Sequence, residues 1–349
     1  MSSRPGTMFD DSWLDDRQGW RGAEPVLRRL AEAGARLRRE TEDALDPIRG
    51  LGDLPRPRAV IAAGSEARFI RAILEPVCPV PFVAWPAHGL PGWVGALDLV
   101  VVMASDAAPA SLIASVHEAV RRGAQLVIAA PRPSLIAEHA MSSSTVLLPT
   151  ATADPLAAAI VMLSALHEMQ LGPEVRPDLV ADAMDLVAED CSPYADVSLN
   201  PAKDIALGLA DAQPLVWGGS VLAARASRRV AEALRAATGR PALAADADAL
   251  SPVLELTAPR DPFADPFEDG GGADRRPGLL VLEDGNGAEL IRAARTRLTS
   301  AAERNDVRVC VIEHAHGSDV ERYATLLQTG MFAAVYLAVG LGRYADLEN

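Results

Sequence analysis

Short, unbroken apolar runs alternate along this chain with Ala-, Arg- and Glu-rich helical stretches. Strands of a parallel sheet are covered on both faces and so read as continuous apolar segments, and the alternation is that of βα units around such a sheet. In the first half the pattern predicts strands over 59–63, 80–85, 97–103, 125–129 and 146–148, with helices over 66–74, 110–122 and 155–170 between them. Helix-rich sequence continues over 177–189. A second series then begins, with a helix after Asn200-Pro201, strands over 214–218, 241–244, 278–282 and 307–312, and a closing helix from about Ser318 to Leu341.

The expected fold class is therefore α/β, with two αβα lobes of similar size, each a parallel sheet flanked by helices, joined near residues 171–195. The division expected is an N-terminal helical extension over 1–40, a first lobe over 41–175 and a second over 176–349. Residues 258–277 interrupt the second lobe with four prolines, three consecutive glycines and mixed charge. On composition this is a solvated, disordered insertion, although Phe263 and Phe267 within it could dock on a partner.

Composition narrows the partners. Hydrophobic residues make up 49% of the 349 and aromatics only 4%, so Ala, Leu and Val must fill the cores. A formal net charge of -14 argues against nucleic acid and anionic membranes, since both need Lys and Arg to neutralise phosphate. Cys78, Cys191 and Cys310 are too few and too scattered for a disulfide framework or a four-ligand zinc site. The amino terminus has neither the basic nor the apolar region of a secretory signal, and no charge-free apolar run is read as reaching the roughly 18 residues of a membrane span. A soluble protein of the reducing cytoplasm is expected.

No GxGxxG, GxxxxGK[ST], GxSxG or HExxH occurs, so no cofactor is expected. Glu313, His314, His316 and Asp319 follow a strand and could hold a metal or an acid–base pair, but a short His pair rarely makes a site, and no metal is expected. His88, His117, His139 and His167 are isolated and read as surface or packing residues. In Asn200-Pro201-Ala202-Lys203 the first two suit a helix N-cap and first position, while Lys203 could reach a sugar or cap the lobe interface. Residues 216–221, VWGGSV, run from a strand into a Gly218-Gly219-Ser220 turn that could receive an anion or a sugar, or serve as a plain tight turn.

Several segments, in order, resemble the bifunctional phosphoglucose/phosphomannose isomerase family, a double SIS (sugar isomerase) fold. Residues 59–73, AVIAAGSEARFIRAI, resemble its strand, Gly-Gly-Ser turn and helix. Residues 79–94, PVPFVAWPAHGLPGWV, resemble its Pro-Val-Pro strand and Leu-Pro-x-x-Val turn. NPAKDIAL over 200–207 resembles a family signature, and 323–342, with Gly330, resemble the closing helix. The resemblance spans about residues 40–345. It implies two SIS-type lobes, a phosphosugar or sugar-derivative ligand, and a homodimer.

Aldose–ketose isomerisation needs a phosphate cradle at a helix start, an acid to open the ring, a carboxylate to shuttle the C1–C2 proton and a cation to steady the enediolate. The family's phosphate loop, Ser-x-Ser-Gly-Asn-Thr, aligns with Ala104, Ser105, Asp106, Ala107, Ala108 and Pro109, so its three hydroxyl positions are lost and Ser105 stands between them. A carboxylate about 4 Å from a phosphate charge is repelled by roughly 4 kcal/mol at an effective dielectric of 20. Asp106 is accordingly read as a helix N-cap with Pro109 in the first turn, and Glu66 as a first-turn helix residue. The family's Glu, His and Arg align with Ala236, Pro252 and Leu156, and its C-terminal Lys has no counterpart. A shifted register at Ala236 would draw its base from Glu232, Asp246 or Asp248.

Catalytic residues are thus left unassigned. Gly64, Ser65, Ser105, Lys203, Gly218, Gly219 and Ser220 are the candidate ligand contacts. The expected function is binding of a carbohydrate derivative with lost or weak catalysis. The alternatives are an active glucose-6-phosphate/mannose-6-phosphate isomerase with relocated groups and a structural dimerisation module.

Overall fold

The computed structural model of the chain describes residues 8–64, 66–86, 88–104, 108–258 and 276–344, which divide into two compact units. Ala33–Ala183 forms one, the inserted unit; the residues on either side of it form the other, the flanking unit. The N-terminal helices are shared out rather than set apart as the 1–40 extension expected. Ser12–Asp15 (α1), Arg17–Trp20 (α2) and Glu24–Ala31 (α3) bury Leu14, Trp20 and Leu27 in the flanking unit. Ala33–Arg49 (α4) buries Leu37, Ala44 and Ile48 in the inserted one.

In the inserted unit Val60–Gly64 (β1), Ala67–Leu74 (α5), Phe82–Ala84 (β2), Leu99–Met103 (β3), Ala110–Arg121 (α6), Gln125–Pro131 (β4), Leu135–His139 (α7), Thr145–Thr150 (β5) and Pro155–Glu168 (α8) follow in turn. Five parallel strands lie in the order β2-β1-β3-β4-β5. β3 is buried at every position, as a central strand covered by helices on both faces must be. β2 is shorter than the 80–85 expected, because Pro81 has no amide to donate and the strand lies at the sheet edge. Asp154 caps α8, its side chain accepting from the Leu156 and Ala157 amides, with Pro155 at the first position, so chain and helix start coincide for two independent reasons.

Pro177–Asp190 (α9) crosses the division. The flanking unit continues with Pro201–Gly208 (α10), Gln213–Gly218 (β6), Val221–Thr238 (α11), Leu243–Ala244 (β7), Ala247–Glu255 (α12), Pro277–Glu283 (β8), Glu289–Arg304 (α13), Val309–Glu313 (β9) and Asp319–Gly340 (α14). Its four parallel strands run β7-β6-β8-β9. β7 is only two residues long and omits Pro241, which cannot donate to a ladder, whereas Pro277 is tolerated as the first residue of β8. Of the expected insertion, 259–275 lie outside the described residues.

α14 corrects the expectation that no run approaches a membrane span. Residues 323–342 carry no charge, and the helix is long and apolar enough by length and composition to cross a bilayer, yet 94% of its apolar window is buried. It is apolar all round because it is the core helix of the flanking unit. Ser318 and Glu321 start it with a reciprocal capping box, Gln328 donates to the Leu30 carbonyl at 3.0 Å, and Tyr336 donates to the Cys191 carbonyl at 2.7 Å. At Gly330 a Cβ would run into the Val230 side chain of α11. Because Val is stiff at χ1, Gly330→Ala is expected to lower stability by about 2 kcal/mol through overpacking, as measured by urea unfolding.

Candidate functional site

In both sheets the chain begins on an interior strand, steps to one neighbour and then returns to the other side. The connections leaving β1 and β3 therefore diverge, as do those leaving β6 and β8, and a crevice is expected beyond the carboxyl ends at each such switch point.

In the inserted unit that crevice is a cavity of about 340 Å³. Ala63 and Gly64 end β1 on one side of it and Met103 and Ala104 end β3 on the other, with Trp85 just beyond β2. Gly64 is required there: its φ is +110° and a Cβ would strike the Met103 carbonyl oxygen. Ser65, Ser105 and Asp106 lie outside the described residues.

Pro109, Ser111 and Leu112 bring the start of α6 to the cavity wall. Pro109, not Asp106, is the N-cap residue of this helix, and it makes no side-chain cap. The Leu112 and Ile113 amides turn back to the Pro109 carbonyl, while those of Ala110 and Ser111 have no acceptor among the described residues. Helix starts with free amides favour anions. Glu66 is the N-cap residue of α5 rather than a first-turn one; it is 2% exposed, makes no side-chain cap bond and does not line the cavity.

The ionisable group on the wall is one that sequence reasoning missed. Asp154 lines the cavity, and among the described lining residues it alone titrates. Its Oδ1 accepts from the Leu156 amide at 3.0 Å and the Ala157 amide at 3.2 Å, and its Oδ2 accepts from Arg36 Nε at 3.0 Å and Nη2 at 2.7 Å. Two signs of it stand in the sequence, an Asp-Pro pair after a strand and an Arg on a preceding helix, but nothing in the sequence joins them. Leu156, aligned with the family's Arg, sits beside it in α8.

The flanking unit treats its switch point differently. Gly218 leaves no room for a Cβ against the Ala223 backbone of α11, Ser220 caps that helix by accepting from the Ala223 amide at 3.0 Å, and its hydroxyl donates to the Asp284 carboxylate. The Gly-Gly-Ser turn is thus closed by a carboxylate of the chain itself, not held open for an anion. Ala236 falls in the last turn of α11 and Pro252 inside α12. The alternative bases are engaged: Glu232 with Arg229 at 3.1 Å, Asp246 as the N-cap of α12 and Asp248 with Arg297 at 2.6 Å.

Lys203 is placed in the interior of the flanking unit. It is fully buried, and its Nζ donates to Asp15 Oδ1 at 2.8 Å and to the Pro193 and Ala195 carbonyls at 3.0 and 2.7 Å, so all three of its protons have acceptors. Asn200 caps α10 through the Ala202 and Lys203 amides and donates to the Ser192 carbonyl at 2.9 Å. Among the described residues no three metal-ligating side chains gather. Burial pushes the Cys191 thiol up to about 12 and the Cys310 thiol up to about 11, which leaves both unreactive.

Residues 198–344 match the family described as the bacterial phospho-glucose isomerase C-terminal SIS domain. The match covers that part of the chain. The SIS fold extends to the whole chain. A glucose-6-phosphate isomerase like protein from Thermus thermophilus superposes with a TM-score of 0.52 at 18% identity over 93% of this chain and 92% of that one. Tagatose-6-phosphate ketose/aldose isomerase from Escherichia coli gives 0.61 at 13% over 95% and 94%. The C-terminal domain of glucosamine-fructose-6-phosphate aminotransferase from Francisella tularensis gives 0.61 at 10% over 91% and 96%. At these identities the likeness is one of fold. No curated protein matches the chain.

Within the SIS domain, truncating the buried ammonium in Lys203→Met strands two carbonyls and is expected to lower stability by about 3 kcal/mol in urea unfolding. His314 approaches Thr329 Oγ1 at 3.2 Å, and burial holds its imidazole below the usual value, against the opposing pull of Asp190 and Glu313. The unfolded chain therefore takes up this proton first as the pH drops below about 6.5. The residue's contribution is whole above that pH and is lost as the pH falls through the folded value. In His314→Gln, stability measured from pH 7 to 5 should fall less steeply than in the wild type.

Proposed function

We propose that the protein binds a phosphorylated carbohydrate derivative in the switch-point cavity of the inserted unit and does not isomerise it. The observation that carries this is the state of Asp154. Isomerisation needs a carboxylate free to take the C1–C2 proton, and the one on this wall has its lone pairs occupied by two amides and a guanidinium.

Binding asks for less. The amides at the start of α6, without acceptors among the described residues, suit a phosphate, and Trp85, Met103 and Leu112 offer apolar surface to the carbon skeleton. Gly64, with Ser65 and Ser105 next in sequence to the wall residues Gly64 and Ala104, are the proposed contacts. The names of the solved relatives, glucose-6-phosphate isomerase like and tagatose-6-phosphate isomerase, suggest the ligand class. The reading further includes a homodimer in the cytoplasm; light scattering that gives a monomer at every concentration removes that part.

Purified protein is expected to show no conversion of glucose 6-phosphate or mannose 6-phosphate to fructose 6-phosphate, while a sugar phosphate raises its melting temperature. At a ligand concentration of 100 Kd the stabilisation is about 2.7 kcal/mol. Robust turnover would restore the active isomerase, and a flat response to every sugar phosphate would favour the structural module.

A further inference from the structure

We propose that the flanking unit carries a second small-molecule site, for an organic anion in which a carboxylate or phosphate monoester is joined to an apolar body. It lies in a crevice of about 270 Å³ beyond the carboxyl ends of β6 and β7, in a different unit from the cavity discussed above, and does not depend on that reading.

The crevice is built by periodicity. Ala224, Ser227 and Arg228 fall three and four residues apart on α11 and share one face of the helix, and Leu290, Ile291 and Ala294 do the same on α13. Trp217 at the end of β6 lies between them. Gly219 makes this packing possible, because a Cβ there would run into Ile291 and come within 2.9 Å of the Trp217 ring.

Two donors on these walls have no acceptor among the described residues. Trp217 is 3% exposed and lines the crevice, and among the described residues its Nε1–H makes no hydrogen bond. The Arg228 guanidinium is exposed and unpaired among the described residues, while its neighbour Arg229 is held by Glu232. The carboxylate on the wall, Asp246, spends one oxygen on the Ala249 amide at 2.9 Å.

An indole N–H and a guanidinium fork call for an acceptor group with negative charge, which a planar guanidinium meets with two hydrogen bonds. A bare ion would leave the apolar wall uncovered. Leu290, 85% exposed, and Ile291 beside it call for an apolar body on the same molecule.

The test uses the full chain with 15N-labelled tryptophan, titrated with phenyl phosphate, benzoate and inorganic phosphate; Trp217→Phe identifies the Trp217 indole resonance by its loss. Phenyl phosphate or benzoate is expected to shift that resonance saturably, the stronger of the two showing which head group the site takes. Arg228→Gln, an exposed change whose melting temperature should match the wild type, is expected to weaken binding roughly tenfold or more, the loss of one charge-assisted contact. Inorganic phosphate should produce no saturable shift. A resonance unmoved by millimolar phenyl phosphate and benzoate overturns the proposal, as does equal affinity in Arg228→Gln.

Discussion

Parallel strands can be joined only by crossovers, and when a chain starts on an interior strand two of those crossovers must leave adjacent strands toward opposite sides. That divergence governs this molecule twice. Between β1 and β3, and again between β6 and β8, no connection bridges the strand ends, so whatever fills the gap is decided by side chains. The glycines at both places answer the same demand: Gly64 must pass the Met103 carbonyl, and Gly218 must pass the backbone of α11.

The two gaps have been filled in contrasting ways. In the inserted unit the start of α6 has no side-chain cap among the described residues, a cavity remains, and the carboxylate on its wall is paired with Arg36. In the flanking unit Asp284 and Ser220 join across the gap, the serine caps the helix, a small crevice of about 80 Å³ between the ends of β6 and β8 remains, and a larger one reaches the residues that follow β7. A fold built on one topological rule thus offers a wide crevice at one switch point and a narrow one at the other.

Much of the architecture was legible because it rests on local signals. Apolar runs located all nine described strands to within about two residues, β2 being trimmed at its start by Pro81; Asn200-Pro201 marked the start of α10. What escaped depends on residues far apart. Lys203 read in the sequence as a residue that could reach a sugar or cap the lobe interface; its acceptor Asp15 lies 188 positions away, and with the Pro193 and Ala195 carbonyls it closes around the ammonium. Asp154 advertised itself as a cap, but its guanidinium partner lies 118 positions earlier. The N-cap position falls on Pro109, extended with ψ 149°, three residues later than the Asp106 expected. Long-range polar pairing has no period, and pattern reading does not see it.

The flanking unit is assembled from both ends of the polypeptide. The Asp10 amide bonds to the Gly340 carbonyl and the Leu30 carbonyl is met by Gln328, 298 residues later. The partners of the first helices therefore lie on the far side of the inserted unit in sequence, from Lys203, which meets Asp15, to α14. The contacts that close the flanking unit thus span far more of the chain than those that close the inserted one, and such long-range contacts cost more loop entropy to form.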